Sequence, residues 1–390
     1  MTTMDHVRHL AETIGPRGST TSKEREAADY AAETLRHAGL DPSIQTFTSA
    51  KSGWYPSALF AALMLLSFLV FWFAGGWGAV GALLIAMAAL LSVLRELAFR
   101  SNPLRWVLPR GRSQNVVARI AAAGEAKWRV ILMGHLDSHR TPLAFSSDGW
   151  LRLFGLLVPI GLAASVALIL IFLGAAVSMA TIWRPISIPF ALAMLGLFLI
   201  TIQADLTKYT PGANDNASGA AVVLAIAERL ARQPLRQTDV WAVLSGCEEV
   251  GCYGAEAFAQ SQTDRGSETA WFTLDSLGTR RGTPCYLSQE RFLLTARSDP
   301  QLVKIADSIA QRRPELGARA HAGFAGAYTE SAIGAKHGFR VLTLISLTPE
   351  GRPTEWHRPT DVVDRLDPSS VEACEAFTLE FLQAVDRDGF

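Results

Sequence analysis

The sequence predicts a three-layer α/β/α domain on a central, mostly parallel mixed sheet, interrupted by two transmembrane helical hairpins. Three observations lead there. Strand and helix signals alternate through the polar part of the chain, the pattern of a parallel sheet covered on both faces. Two long apolar blocks break that alternation. Polar side chains collect at the predicted strand ends, where groups in such sheets converge on one crevice.

Bulk composition narrows the classes. The 390 residues carry 36 basic and 36 acidic side chains, so no global field favours nucleic acid or an acidic partner. Only 18 % of residues are charged and 49 % are hydrophobic, which is apolar for a soluble enzyme. Cys247, Cys252, Cys285 and Cys374 lack the spacing of a disulfide scaffold or a structural zinc site and are expected as free thiols.

Met1 to Gly15 holds Asp5, His6, Arg8 and Glu12 and no apolar core, so a cleavable signal peptide is not expected. Thr21 and Glu24 have capping-box spacing at the head of a helix reaching His37, with Gly39 as its stop. Ser43 to Ser49 alternates as a strand.

From Trp54 to Leu94 there is no charge over about forty positions, enough for two spans of roughly twenty residues. Gly75-Gly76-Trp77-Gly78 supplies the expected turn between them. The second block, Leu153 to Ile202, contains only Arg184 and divides into Leu153–Ile182 and Ile186–Ile202. The predicted organisation is a polar domain of residues 1–53, 99–150 and 205–390, with hairpins at 54–98 and 151–204. Arg95, Arg100, Arg105, Arg110 and Arg112 follow the first hairpin and Arg152 precedes the second. By the positive-inside rule the four spans leave the polar domain on the cytoplasmic side.

The polar remainder predicts strands at Gln114–Ile120, Arg129–Met133, Asp239–Leu244, Ala270–Leu274 and Arg340–Ser346. Helices are expected at Ala220–Arg232, Tyr253–Gln260, Leu302–Arg312 and Pro368–Val385. The turn Pro211-Gly212-Ala213-Asn214-Asp215-Asn216-Ala217-Ser218-Gly219 presents one carboxylate at a fixed point before a helix. By itself it reads equally well as a helix start capped by Asp215 or Asn216.

His135 and Asp137 leave one strand end, Glu248 and Glu249 another, and Asp275 a third, while His357 sits in a late loop. Each has an ordinary structural reading. Together, two imidazoles and several carboxylates suit zinc or another borderline divalent ion in an open catalytic site. Two ions sharing a carboxylate divide a hydrolytic task, and a vicinal glutamate pair supplies one ligand and one proton relay.

The series GHLDS, GANDNASG, CEEVGCYG, LDSLG and WHRPTD, in this order, resembles the di-zinc aminopeptidases of peptidase family M28, here as a membrane-embedded variant. The resemblance covers residues 1–50, about 112–142 and about 205–386, and leaves the apolar insertions outside it. It implies two zinc ions, one held by His135 and Asp275, the other by Glu249 and His357, with Asp215 between them. It implies Glu248 as general base and Asp137 as the partner that fixes the His135 tautomer. Family aminopeptidases often place Tyr before the last histidine, to steady the oxyanion. Here Trp356 stands there, and Trp356 or Tyr328 is the expected donor.

The function implied is a membrane-anchored, zinc-dependent exopeptidase of aminopeptidase type. Its partners would be a peptide substrate and the lipid bilayer, with no nucleic acid; residue preference and oligomeric state are not specified. Glutaminyl cyclases of the same family carry a Trp-His pair and one zinc, which keeps that activity, or another amidohydrolase, as the alternative. A non-catalytic membrane scaffold is a third reading, opposed by the full donor set.

Overall fold

The structure, a computed structural model, describes residues 1–98, 100, 102–263, 266–291, 294–324 and 326–390. In chain order its elements are α1 (Thr3–Arg8), α2 (Ser22–His37), β1 (Ser43–Ala50), α3 (Tyr55–Phe73), α4 (Gly75–Leu97), β2 (Arg110–Ile120) and β3 (Trp128–His135). Then come α5 (Asp148–Ser178), α6 (Trp183–Asp205), α7 (Gly219–Arg232), β4 (Thr238–Ser245), α8 (Tyr253–Ser261), β5 (Thr269–Asp275) and β6 (Thr283–Leu287). The last are β7 (Gln289–Arg291), β8 (Thr295–Arg297), α9 (Pro300–Arg312), β9 (Arg319–His321), α10 (Glu330–Lys336), β10 (Arg340–Leu347) and α11 (Pro368–Asp388). They form two compact units. One is Met1–Lys51, Arg110–Arg140 and Tyr209–Phe390; the other is Ser52–Pro109 and Thr141–Lys208.

The first unit is a mixed α/β fold on an eight-stranded sheet of order β1-β2-β4-β3-β5-β10-β6-β9. Its centre, β4-β3-β5-β10, is parallel, while β1, β2 and β6 run antiparallel to their inner neighbours. Alternation along the strands sorts the two faces. Val130, Leu132, Ala242, Leu244, Phe272, Leu274, Leu342 and Leu344 enter one core with α2, α7, α9 and α11. Trp271 points the other way, 5.6 Å from the ring of Phe258 in α8. A Cβ on Gly334 of α10 would lie 3.0 Å from Trp271, so glycine lets that helix press on the sheet. Helices therefore lie on both faces.

Register levels the strand ends. His135 of β3 pairs with Ser245 of β4, and Met133 pairs with Thr273 of β5, so Asp275 ends β5 level with His135. β2 starts at Arg110, four residues before the expected Gln114, because its arginine-bearing head pairs with β1 as far as Ala50. The short elements α1, β6, β7, β8, β9 and α10 carry too few residues for a periodic signal, and the sequence does not announce them.

The second unit contains α3, α4, α5 and α6, all long and apolar enough to cross a membrane by length and composition. Only 22 % to 39 % of each apolar window is buried inside the protein. Phe60, Met64, Phe71, Leu168, Phe172 and Met194 form its core. On α4, Ala79, Ala82, Ala86 and Ala89 are buried with spacings of three and four, a small-residue seam that permits close helix approach. The hydroxyls of Ser67, Ser165, Ser187 and Thr201 donate to carbonyls three or four residues back, so these four need no water.

Three boundaries differ from the sequence reading, one being α6, which starts at Trp183 and runs to Asp205 instead of spanning Ile186–Ile202. The α3–α4 turn falls at Ala74, and Gly75 to Gly78 already belong to α4. A Cβ on Gly78 would lie 2.7 Å from the Val70 carbonyl, so the glycine-rich stretch serves close approach after the turn. α5 begins at Asp148, capped by the Ser147 hydroxyl, and ends at Ser178 rather than Ile182, where Met179 turns left-handed at φ 55°.

Within the alanine seam, Ala86 is 0 % exposed and neighbouring Leu84 is 63 % exposed. Ala86→Leu is expected to destabilise the detergent-solubilised protein by about 1–3 kcal/mol through overpacking. Leu84→Ala should stay within about 0.5 kcal/mol, the usual range for surface changes. Thermal unfolding followed by tryptophan fluorescence separates the two.

Candidate metal centre

Three level strand ends and two loops bring the polar side chains together. His135, at the end of β3, is 1 % exposed. Its Nδ1 lies 3.0 Å from the Asp137 main-chain oxygen and 3.5 Å from Asp137 Oδ1. Either acceptor requires the proton on Nδ1, so in the neutral ring Nε2 is the nitrogen that presents a lone pair. That Nε2 faces Asp215 Oδ1 at 3.3 Å and Glu248 Oε2 at 4.0 Å.

The Asp137 carboxylate also links one strand end to the next. It accepts the main-chain N–H of Glu248 at 3.0 Å, that of Glu249 at 3.2 Å and the Ser19 hydroxyl at 2.6 Å. The glutamate pair is thereby aimed by its backbone. Cys252 Sγ adds a contact of 3.3 Å to Glu248 Oε1.

Asp215 is fixed in the same way. Asp361 accepts the N–H of Asn214 at 2.7 Å and of Asp215 at 3.1 Å. Asn216 Oδ1 accepts from Gly219 N at 2.9 Å and Ser276 N at 3.1 Å, so Asn216 anchors both the head of α7 and the chain beyond β5. The Asp215–Asn216 peptide is cis. Gly212 has φ +59°, and a Cβ there would lie 2.5 Å from the Asp215 carbonyl and 2.6 Å from Ser138 Cβ. Only glycine suits both demands.

Asp215 turns its second oxygen to His357, whose Nε2 is 3.1 Å from Oδ2 and 3.4 Å from Glu249 Oε2. Donor atoms of His135, Asp215 and Asp275 lie within 4.8 Å of one another, as do those of His135, Glu248 and Glu249, and those of His139, Glu249 and His357. Left-handed backbone marks the place. Cys247 at φ 56°, Ser276 at φ 52° and His357 at φ 54° adjoin or belong to the cluster.

Its electrostatics follow from burial. Burial pushes Glu248 well above the carboxylate range, aided by Glu249, Glu330 and Asp275 and opposed by His135. Burial and Asp215 do the same to Glu249, and they raise Asp275 to about 7. Burial would also raise Asp215, but His135 and His357 outweigh it and hold that carboxyl well below its usual range. For His135, burial opposes charge, yet Asp137, Asp215, Glu248 and Glu330 keep it well above the ordinary imidazole value.

Four groups here escape the sequence reading. Arg17, 0 % exposed, donates to the carbonyls of Leu136, Leu10, Gly15, Pro211 and Gly212. It binds the loop after His135 to the loop before Asp215, and burial lowers its pKa to about 10 against the pull of Asp361, Asp137, Asp215 and Glu249. Its partners are main-chain oxygens, which leave no side-chain signature. Glu24 does not simply close a helix cap. It accepts from Thr20 N, the Ser113 hydroxyl and Cys247 N, and burial beside Asp137 raises it to about 8. Glu330 is buried and takes the Ser245 hydroxyl at 2.7 Å. His139 stacks on His357, and its closeness to His135 in sequence was the available signal.

Of the expected substrate-side donors, Trp356 lies 4.6 Å from the His357 ring, tilted 37°. Tyr328 is half-buried ahead of α10, and it is Glu330, two residues on, whose charge bears on His135 and Glu248.

The donor set fits a divalent cation. Asp137, Asp215, Glu248, Glu330 and Asp361 are all under 9 % exposed, Glu249 and Asp275 are partly buried beside them, and Arg17 is a buried arginine nearby. His135 Nε2 and Glu249 Oε1 are buried with no hydrogen-bond partner among the described residues. Buried carboxylates so placed stay protonated or take up a cation. Imidazole with carboxylate suits zinc.

Comparison with known proteins agrees with this chemistry. The model of peptidase family M28 matches residues 200–382, which include Asp215, Glu248, Glu249, Asp275 and His357. A probable zinc metalloprotease of Leptosphaeria maculans is 45 % identical over 56 residues, which is 14 % of this chain and 13 % of that protein's length. Among solved structures, a leucine aminopeptidase precursor from Bacteroides thetaiotaomicron has a TM-score of 0.59 at 14 % identity, covering 98 % of this chain and 96 % of that one. Porphyromonas gingivalis glutaminyl cyclase gives 0.57 at 15 % identity, covering 98 % and 96 %. The zinc aminopeptidase from Bacillus subtilis gives 0.57 at 14 % identity, covering 98 % and 94 %. At these identities the structural likeness establishes the fold.

Removing the Arg17 guanidinium takes a donor from five carbonyls, of which Leu10 and Gly212 keep the main-chain N–H groups of Gly15 and Ala217. Arg17→Met is expected to cost about 3 kcal/mol or more, since each unsatisfied buried acceptor costs about 1–3 kcal/mol. A clear fall in the thermal unfolding midpoint is the result to look for. A midpoint equal to that of the unaltered protein would remove Arg17 from this role.

Proposed function

We propose that this chain, whose residues 200–382 match the model of peptidase family M28, is a zinc-dependent exopeptidase of aminopeptidase type, removing N-terminal residues from peptides. The observation that carries this reading is Asp215. It offers one oxygen to His135 and the other to His357, at 3.3 Å and 3.1 Å, the disposition expected of a carboxylate shared between two ions. His135 and Asp275 would hold one zinc, Glu249 and His357 the other. When bound, zinc supplies Lewis acidity and makes water a stronger acid.

The remaining work falls to side chains. Glu248, kept basic enough by burial and its carboxylate neighbours, takes a proton from the attacking water and returns it to the departing amine. Asp137 holds Glu248 and Glu249 in register through their main-chain N–H groups. The Trp356 indole, against His357, is the donor assigned to the oxyanion.

One observation favours a second reading. A tryptophan in contact with the last histidine also suits cyclisation of an N-terminal glutamine, and glutaminyl cyclases share the fold. Leucyl amides and N-terminal glutamine peptides, offered in parallel, distinguish the two. The aminopeptidase reading requires released amino acid from the first substrate and no preferential cyclisation of the second.

The four apolar helices would anchor the enzyme in a bilayer, with its polar unit on the cytoplasmic side. Washing membranes at alkaline pH should leave the chain in the pellet; release into the supernatant would rule out spanning helices. Glu248→Gln is expected to lower kcat by at least about a hundredfold while zinc content stays as in the unaltered protein. Unchanged turnover would take Glu248 out of the mechanism.

A further inference from the structure

We infer that Glu24 is a positioning residue for the reaction, aiming Glu248 through the main chain of Cys247. This rests on the reading of the site as a metallopeptidase with Glu248 as its base. Thr21 and Glu24 read as a helix cap in the sequence, and none of the site motifs contains either residue.

Three observations support the assignment. The first is a continuous grip on the chain after β4. Glu24 is 1 % exposed at the head of α2, and its Oε1 accepts the Cys247 N–H at 2.9 Å. Its other oxygen accepts the Thr20 N–H at 2.7 Å and the Ser113 hydroxyl at 2.9 Å, which fix the carboxyl from behind. Asp137 takes the next two amides, so three successive N–H groups from Cys247 to Glu249 each meet a buried carboxyl group. The second is that the chain needs holding there. Cys247 is left-handed at φ 56°, a conformation that a residue with a Cβ resists. A Cβ on Gly246 would lie 2.9 Å from Glu24 Oε1 and 2.5 Å from Ser113 Oγ, so glycine admits the carboxyl to this strand end. The third is the dependence of Glu248 on its backbone. Bound zinc would hold Glu249, whereas the Glu248 carboxyl meets Cys252 Sγ at 3.3 Å and His135 Nε2 only at 4.0 Å. A shift of the main chain at Cys247 therefore passes to the base, and small misplacements of a reacting group cost turnover.

The test separates aim from stability. In leucyl amide hydrolysis by the full-length, detergent-solubilised protein, Glu24→Ala should lower kcat by about tenfold or more, with KM and zinc content unchanged. Glu24→Gln can give its amide oxygen to the Cys247 N–H and its NH2 to the Ser113 oxygen, leaving the Thr20 N–H unmet. It should therefore unfold at a lower temperature yet keep most of the turnover. In metal-free protein, deuterium uptake by Glu24→Ala should rise over residues 246–250 and stay unchanged over 213–218, where Asp361 holds the amides. Unaltered kcat in folded Glu24→Ala, or a loss that falls on KM or zinc content instead, would overturn the role of Glu24 and leave the metallopeptidase reading standing. Absence of hydrolysis by the unaltered, zinc-loaded protein would overturn both. If Glu24→Ala does not fold, Glu24→Asp decides, because its carboxyl stops one methylene short of Cys247. Lower kcat at unchanged KM is the expected result, and full turnover there would overturn the role.

Discussion

A group of carboxylates held away from water, with little positive charge among them, is the constraint on which the rest of this structure depends. Asp137, Asp215, Glu248 and Glu330 are buried, and Arg17 is fully spent on main-chain oxygens around them. Such a group is unstable as bare anions. Hydrogen bonds to backbone fix the chain segments that carry the carboxylates, while Asp215 itself faces His135 and His357 and Glu330 takes the Ser245 hydroxyl. Asp137 grips the Glu248–Glu249 amides, Asp361 grips the Asn214–Asp215 amides, and Asn216 ties the head of α7 to Ser276. Backbone hydrogen bonds of this kind hold donor side chains in place, which is what preorganised catalysis asks of a scaffold.

The sheet supplies the coarse placement and the loops the fine one. Parallel pairing of β4, β3 and β5 ends three strands at one level, and the polar residues occupy those ends. The two apolar insertions are closed where they leave the sheet-bearing unit. Ala50 pairs with Arg110 across the first gap, and Arg140 bridges Tyr209 across the second, with its guanidinium 4.4 Å from the Tyr209 ring centre. With their bases pinned, long insertions cost the host little in chain entropy.

Much of this was legible in the sequence, for physical reasons. Charge-free blocks mark α3 to α6 because a run of that length has few other uses. Strand signals alternating with helix signals mark the central strands, and the glycine-bounded Asp215 turn announces a fixed carboxylate. What stayed hidden depends on partners without side-chain identity. Arg17 works entirely through carbonyls, and Glu24 through the nearby Thr20 amide and the distant Cys247 amide and Ser113 hydroxyl. The turn at Ala74 was misplaced onto Gly75–Gly78 because glycine signals both turning and close packing, and here Gly78 serves the second. The short edge strands β7, β8 and β9 have three residues each, too few for any period to show.

The most direct measurement is anomalous diffraction at the zinc edge from crystals of the full-length chain. The account predicts scattering peaks enclosed by His135, Asp215, Asp275, Glu249 and His357. Well-ordered side chains at these positions with no anomalous density among them, in protein prepared with zinc, would contradict it.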